Sequence, residues 1–144
     1  MTVTDHEYLK KILLAPVYDV AVNSDLVLLS RLTAELGNDV FLKREDQQPV
    51  KSFKLRGAYN RIASLSPQQL EAGVIAASAG NHAQGVAYSA NMKGINATIV
   101  MPETTPDIKI EAVRRFGGQH ANVVLHGTNF DTASAHARAL SAEH

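Results

Sequence analysis

Two short stretches of this sequence combine residue types that could carry out carbonyl chemistry. The first, KSFKLRGA at residues 51–58, places Lys54 close to Arg56 and Lys51 at the predicted start of a helix. The positive end of a helix and the neighbouring cations both favour loss of a proton from the Lys54 amine. A neutral amine can attack a carbonyl carbon and form a Schiff base. The alternative is a solvated lysine at a frayed helix start, which the local sequence alone favours.

The second stretch, SAGNHAQG at residues 78–85, is typical of a turn between a strand and a helix. Its small residues expose backbone N–H groups, which can bind a carboxylate or a phosphate. The side-chain amide of Asn81 could donate to a phenolate-type oxygen. Alternatively, Asn81 is simply the N-cap of the next helix and His82 is a first-turn residue.

Helix and strand patterns alternate along the chain and would position these two stretches. Strands are predicted at residues 40–43, 73–78, 96–101 and 122–125. Helices are predicted at about residues 5–13, 53–65 and 82–93, with two more beginning near residues 105 and 128. Because the strands are continuous apolar runs, the pattern indicates a doubly wound α/β fold, with a parallel sheet covered by helices on both faces. Ligands bind beyond the carboxyl ends of such strands, where residues following 43 and 77 would face one crevice.

Residues at the predicted helix ends support these assignments. Ser52 is expected to be the N-cap of the helix that carries Lys54. Thr105 is expected to cap a helix with Pro106 at its first position, and that helix should stop at the glycine pair 117–118. Thr128 with Asp131 resembles a capping box for the last helix.

Composition limits the classes of function. The 144 residues make one ordinary domain, and 14 basic residues balance 14 acidic ones, so no basic face for nucleic acid or an anionic membrane is expected. Without cysteine there is no disulfide or thiolate chemistry, and a cytoplasmic location is expected. No two of the six histidines are three or four residues apart, so no metal site is expected. No apolar run has the length of a signal peptide or a membrane span.

The two stretches, in their context, resemble a known family. KREDQQPVKSFKLRGAYN followed by ASAGNHAQGVA is similar to the pyridoxal-phosphate-dependent serine/threonine dehydratases, enzymes of the tryptophan-synthase-β-like fold. TIVMPETTPDIKIEAVRRFGG and VVLHGTNFDTA also resemble that family. The resemblance extends from about residue 14 almost to residue 144 and is most like the biosynthetic threonine ammonia-lyases.

The resemblance implies a role for each residue of the two stretches. Lys54 would carry the cofactor, pyridoxal 5′-phosphate, as a Schiff base, with the cofactor ring near Phe53 and its 3′-oxygen bonded to Asn81. The substrate carboxylate would be held by the hydroxyl or backbone of Ser78, Ala79, Gly80 and His82. The substrate would be L-threonine or L-serine, and L-threonine would yield 2-oxobutanoate and ammonia in isoleucine biosynthesis.

The chain also departs from the family pattern. Family members usually show T-P-L near the start, where this chain has Ser24, Asp25 and Leu26. The glycine-rich loop that binds the cofactor phosphate lies later in these enzymes, and no glycine-rich run follows Gly118.

We therefore expect the N-terminal part of a longer enzyme of PLP fold type II. Residues 1–48 would be a lead-in segment that packs partly on a missing large domain, and residues 49–144 the smaller, lysine-bearing α/β domain. Any regulatory domain would also be absent. The isolated chain should have little or no activity, and the full-length enzyme should be a homo-oligomer.

Two alternatives stay open from the sequence. Catabolic serine/threonine dehydratases and serine racemases share both motifs, so the same cofactor could serve another reaction. A catalytically silent α/β binding module would instead have an exposed, protonated Lys54 and form no carbonyl adduct.

Overall fold

A computed structural model describes residues 4–142 of the chain. The outer ends of the two predicted segments, at residues 1–3 and 143–144, lie outside the described residues. The helices are α1 (Asp5–Leu14), α2 (Ser30–Leu36), α3 (Lys54–Ala63), α4 (Pro67–Ala72), α5 (Asn81–Lys93), α6 (Asp107–Gly117) and α7 (Phe130–Ala142). The strands are β1 (Leu26–Leu28), β2 (Phe41–Lys43), β3 (Val74–Ala77), β4 (Ala97–Met101) and β5 (Ala121–Leu125).

The main sheet contains three parallel strands in the order β3-β4-β5. Their continuous apolar sequences suit strands that are covered on both faces. In the register, Val74 lies opposite Ala97, and Ala97 lies opposite Ala121. This architecture confirms the predicted α/β class with a parallel sheet.

Strand β3 is an edge of this sheet. The N–H groups of Val74 and Ser78 donate to the carbonyl oxygens of Asn96 and Val100 beside them. Because hydrogen-bonding groups alternate in direction along a strand, those of the intervening Ile75 and Ala77 point away from β4.

Helices cover both faces of the sheet, as predicted. On one face, Ile99 and Met101 of β4 are fully buried against apolar residues of α3, α5 and α6. On the other face, Val100 is buried against Ala133 and Ala137 of α7. The alanines of α5 let it pack closely between the sheet and α3, which brings the start of α3 near the carboxyl ends of the strands.

The strand predicted at residues 40–43 does not belong to the parallel sheet. It forms β2, which pairs antiparallel with β1 in a separate two-stranded ribbon, with Leu26 opposite Lys43. All residues of this ribbon are exposed, whereas a strand inside a parallel sheet is buried on both faces. The prediction that residues 43 and 77 end two strands of one parallel sheet and face a common crevice was therefore wrong. The ribbon strand β1 and helices α2 and α4 were not predicted, because three to seven residues show too little periodicity.

Two predicted helix caps were wrong, and one helix end was correct. Helix α6 begins at Asp107, because Pro106 has an extended ψ of 139°, and the buried hydroxyl of Thr105 has no hydrogen-bond partner in the described chain. Helix α7 is capped by Asn129, whose side-chain oxygen accepts the N–H of Thr132 at 3.0 Å. Helix α6 ends at Gly117, as predicted, with Gly118 at a φ of 54°.

Within residues 4–142, none of the helices is both long and apolar enough to cross a membrane.

Gly73 and Gly94, which precede strands β3 and β4, test whether a side chain would clash with the backbone at these turns. Both have positive φ, but a Cβ on Gly73 would lie 2.7 Å from the Asn96 carbonyl oxygen, whereas a Cβ on Gly94 would meet nothing within 4 Å. We expect Gly94→Ala to lower the free energy of unfolding by about 1 kcal/mol through backbone strain alone. Gly73→Ala should cost roughly 3 kcal/mol, because a clash with a rigid carbonyl is added. Urea unfolding measures both, and equal losses would contradict the clash.

Candidate functional site

Lys54 is the first residue of α3 and is exposed to solvent. The buried hydroxyl of Ser52 accepts the backbone N–H of Lys54 at 3.2 Å, so Ser52 satisfies a helix-start donor although the formal cap position is Phe53. The Lys54 Nζ lies 5.1 Å from the centroid of the Phe53 ring, which is itself 57% exposed. The Lys54 amine and the Phe53 ring therefore lie side by side, both exposed to solvent, at the start of the helix.

The second predicted stretch forms the turn between β3 and α5. The Ser78 hydroxyl oxygen accepts the N–H groups of Gly80 at 3.4 Å and of Ala83 at 3.2 Å, which fixes the shape of this turn. Among residues 4–142, no group accepts the N–H of Asn81 or of His82. A Cβ on Gly80 would meet nothing within 4 Å, so these two donors stand at an open helix N-terminus. Such a terminus attracts an anion.

The packing of α3 against α5 brings the two stretches together. A Cβ built on Gly85 of α5 would lie only 3.3 Å from the backbone carbonyl carbon and oxygen of Lys54. The pKa of the His82 imidazole is lowered, mainly because the ring loses part of its hydration and also by the positive charge of Lys54. Because Gly85 lies one helical turn after His82, its close approach to the Lys54 backbone brings the start of α3 beside the turn.

The structure thus places all seven predicted site residues around the neighbouring N-termini of α3 and α5. They are Phe53, Lys54, Ser78, Ala79, Gly80, Asn81 and His82. Their individual roles toward a cofactor or substrate stay predictions.

Arg56 has a structural partner that the sequence analysis did not identify. Its guanidinium donates two hydrogen bonds to the Glu45 carboxylate, at 2.9 and 3.0 Å, and their side chains are only 24% and 19% exposed. Residues two apart on a helix also do not face each other, so Arg56 points away from the Lys54 side chain. Arg56 therefore anchors the start of α3 to Glu45.

Glu45 is the centre of this anchor, which the sequence analysis missed. The Ser24 hydroxyl donates to its carboxylate at 2.6 Å, and the buried Gln48 amide also donates to it. These bonds, that of Arg56 first, lower the pKa of Glu45 from its ordinary 4.5 to about 2. The sequence signalled this anchor only through the charged run that follows Lys43. The partners of Glu45 come from distant segments and could not be paired with it from the sequence.

The departure at residues 24–26 from the family pattern has a structural counterpart. The N–H of Asp25 donates to the Gln47 side-chain oxygen at 3.0 Å, and the Gln47 amide donates back to the Asp25 carboxylate at 2.9 Å. A proline at position 25 could not make the first of these bonds. Paired hydrogen bonds therefore hold this segment where proline would restrict φ.

Comparison with known proteins identifies relatives over nearly the whole chain. A family model described as pyridoxal-phosphate dependent enzyme matches residues 17–144. The biosynthetic L-threonine dehydratase of Pasteurella multocida is 59% identical over 138 residues, which cover 96% of this chain and 26% of that protein. The corresponding Escherichia coli protein is 55% identical over 135 residues, covering 94% and 26%. The chain thus spans about a quarter of the length of these relatives.

Solved structures show the same fold. The processed form of threonine deaminase isoform 2 from Solanum lycopersicum superposes with a TM-score of 0.90 at 54% identity, covering 96% of this chain and 39% of that one. Maize serine racemase superposes with a TM-score of 0.87 at 27% identity, covering 99% and 42%.

The Glu45 anchor should make stability depend on pH. In the folded chain Glu45 stays ionised down to about pH 2, whereas unfolded it titrates near 4.5, so its stabilisation is complete above 4.5 and disappears as the pH falls toward 2. Glu45→Gln should lower the free energy of unfolding at pH 7 by roughly 2 kcal/mol and flatten its fall between pH 4.5 and 2. Urea unfolding across pH 2–7 tests this, and an unchanged pH slope in the variant would count against the anchor.

Substitutions at Lys51 test whether the backbone just before Lys54 is strained. It has a φ of 56°, a conformation disfavoured for side chains with a Cβ, just before the helix. We expect Lys51→Gly to change the free energy of unfolding by less than about 1 kcal/mol, because relief of strain offsets the added freedom of the unfolded chain. Lys51→Val should cost about 2 kcal/mol, since a β-branched residue resists this φ. Thermal unfolding at neutral pH measures the difference, which should vanish if Lys51 is unstrained.

Proposed function

The chain belongs to the family of pyridoxal-phosphate-dependent enzymes, and we propose that it is the lysine-bearing part of a threonine dehydratase. The reaction would convert L-threonine into 2-oxobutanoate and ammonia. One observation carries the proposal: α5 packs against the Lys54 backbone, so the lysine lies near a helix N-terminus whose first two N–H donors have no acceptor among residues 4–142. Identities of 55–59% to biosynthetic threonine dehydratases, against 27% to a serine racemase, favour this reaction over racemisation.

The residues present fit pyridoxal 5′-phosphate and an amino-acid substrate. The exposed amine of Lys54 can bond to an aldehyde carbon, and the exposed Phe53 ring offers an apolar face beside it. The side chain of Asn81 is exposed and has no hydrogen-bond partner within the described chain, so its amide is available to the 3′-oxygen of the cofactor. The open turn at Gly80 leaves room for a carboxylate. When bound, the cofactor supplies an electron sink for the charge that develops at the substrate α-carbon.

The turn would orient the substrate. The Ser78 hydroxyl and the N–H groups of Asn81 and His82 can donate to the substrate carboxylate, whose charge the α5 terminus also stabilises. With the carboxylate fixed, the α-carbon can be presented toward the Lys54 Nζ, which accepts the α-proton once it is free and neutral. The β-hydroxyl then leaves as water, and hydrolysis releases ammonia, so that L-threonine is balanced by 2-oxobutanoate and ammonia.

The environment of His82 supports this proton transfer. Its lowered pKa keeps the imidazole neutral at physiological pH. A neutral ring adds no second positive charge beside Lys54 or the carboxylate site. The lowered pKa also makes the imidazole a weaker base toward the substrate α-proton.

We further propose that the lead-in segment docks on a domain outside this chain. Helix α1 has no buried residue, and its apolar side chains are 53–73% exposed. These are Tyr8, Leu9, Ile12, Leu13 and Leu14. Contiguous apolar surface of this kind favours a packing partner, and the curated relatives are about four times as long as this chain. A cytoplasmic location and a homo-oligomeric full-length enzyme stay predictions.

Reductive trapping tests the role of Lys54. We expect the chain, incubated with pyridoxal 5′-phosphate and borohydride, to gain one cofactor adduct at Lys54, found by peptide mass spectrometry. Lys54→Gln should lose this adduct, whereas Lys51→Gln, which removes a lysine three residues away, should keep it. Equal labelling of several lysines would contradict a dedicated amine and favour the silent binding module. Because the chain spans about a quarter of the length of its relatives, we expect no 2-oxobutanoate from L-threonine in a coupled assay.

A further inference from the structure

We propose that Gly85 is a positioning residue that sets the spacing between the Lys54 amine and the turn at residues 78–82. The proposal rests on the proposed function, because it assigns Gly85 a role toward the lysine of that site. Gly85 belongs to the SAGNHAQG stretch, and the nearest neighbours of a Cβ built on it lie on α3. It would act only through the backbone of Lys54.

Gly85 lies in the interior of α5 and is buried. A Cβ at this position would sit 3.3 Å from the Lys54 carbonyl carbon, 3.3 Å from its oxygen and 3.4 Å from the Ala58 methyl group. Two of these three neighbours are backbone atoms, which cannot rotate away as the end of a long side chain can. A methyl group here would therefore push the two helices apart.

The position is costly for a helix. Glycine is the least favourable residue in a helix interior apart from proline, because it loses the most conformational freedom on folding. Glycine is otherwise unexpected here, since α5 carries alanines at several of its other buried positions. The close approach to the Lys54 carbonyl gives a physical reason for its presence.

The effect would reach the site through two short, rigid segments. On α5, Gly85 lies one turn after His82, so it moves with the N–H donors of the turn. On α3, the Lys54 carbonyl that Gly85 contacts belongs to the residue that bears the amine. Separation of the helices at this contact therefore changes the distance between the amine and the turn directly. A misplacement approaching 1 Å at such a site can slow a reaction by about a hundredfold.

His82 provides a measure of that spacing without any cofactor. Its pKa, followed by NMR, should rise in Lys54→Gln, because a positive charge is removed; the rise is the coupling between the two side chains. We expect this rise in the His82 pKa to be largest with Gly85, smaller in Gly85→Ala and smallest in Gly85→Val. In Gly85→Val it should be less than half of its value with Gly85. Arg61 lines the same groove as His82 but is present in every variant, so it cancels from the comparison.

Gly57→Ala is the matched control. It also replaces a helical glycine, on α3, but its Cβ would meet nothing within 4 Å. The coupling should stay unchanged in this variant, whereas its urea midpoint should rise through better helix propensity. Gly85→Ala combined with Ala58→Gly removes one of the three crowded groups and should recover part of the coupling.

Trapping with pyridoxal 5′-phosphate and borohydride then tests the consequence. At saturating cofactor, Gly85→Ala should be captured at Lys54 at least tenfold more slowly than the unsubstituted chain, while far-UV circular dichroism shows both folded. If the unsubstituted chain is not captured, the proposed function fails while the coupling series still decides the spacing. If Gly85→Ala stays folded with unchanged coupling and capture, Gly85 is only a structural residue and the proposal is overturned. Gly85→Val that fails to fold leaves Gly85→Ala to decide in the same way.

Discussion

The contact between α3 and α5 is the constraint on which the candidate site depends. Each helix begins with one half of the candidate site, the Lys54 amine on α3 and the turn with open N–H donors on α5. Neither half has chemistry of its own: an exposed lysine is ordinary, and so is an open helix N-terminus. They become a site because a glycine, Gly85, lets the second helix lie against the first peptide of the other. Burial of the alanine-rich face of α5 against the sheet keeps that contact in place.

The anchor formed by Arg56 and Glu45 explains the unusual charges at the start of α3. Helix N-termini prefer anions, yet Lys51, Lys54 and Arg56 are clustered there. Arg56 has its own carboxylate partner on the side away from the amine, so its charge is locally balanced. Lys51 and Lys54 both stay exposed, and Lys54 is the first residue of the helix. The charge pattern therefore combines one paired, structural cation, Arg56, with two exposed lysines.

The sequence predicted what depends on long local patterns and missed what depends on distant partners. The strands of the main sheet and the helices between them followed from apolar runs and turn residues. The reason given for placing Lys54 near the turn did not hold, because β2 lies outside the parallel sheet. The ribbon of β1 and β2 was missed because its three-residue strands are exposed and carry no burial signal. The Glu45 anchor was missed because Ser24 and Arg56 come from segments 21 and 11 residues away. The cap of α7 was misassigned because Thr128 and Asn129 are both good caps, and only the path of the chain decides between them.

The edge position of β3 has a consequence for the turn that follows it. Ile75 and Ala77 direct their peptide groups outward, and the chain passes from Ala77 straight into Ser78 and the donors of the site. A peptide segment that hydrogen-bonds to this edge would reduce the motion of β3. It would also reduce the motion of the turn at residues 78–82, which is the proposed carboxylate site. The rigidity of the turn at residues 78–82 is thus linked to whether the free edge of β3 is occupied, without any contact between that occupant and the turn itself.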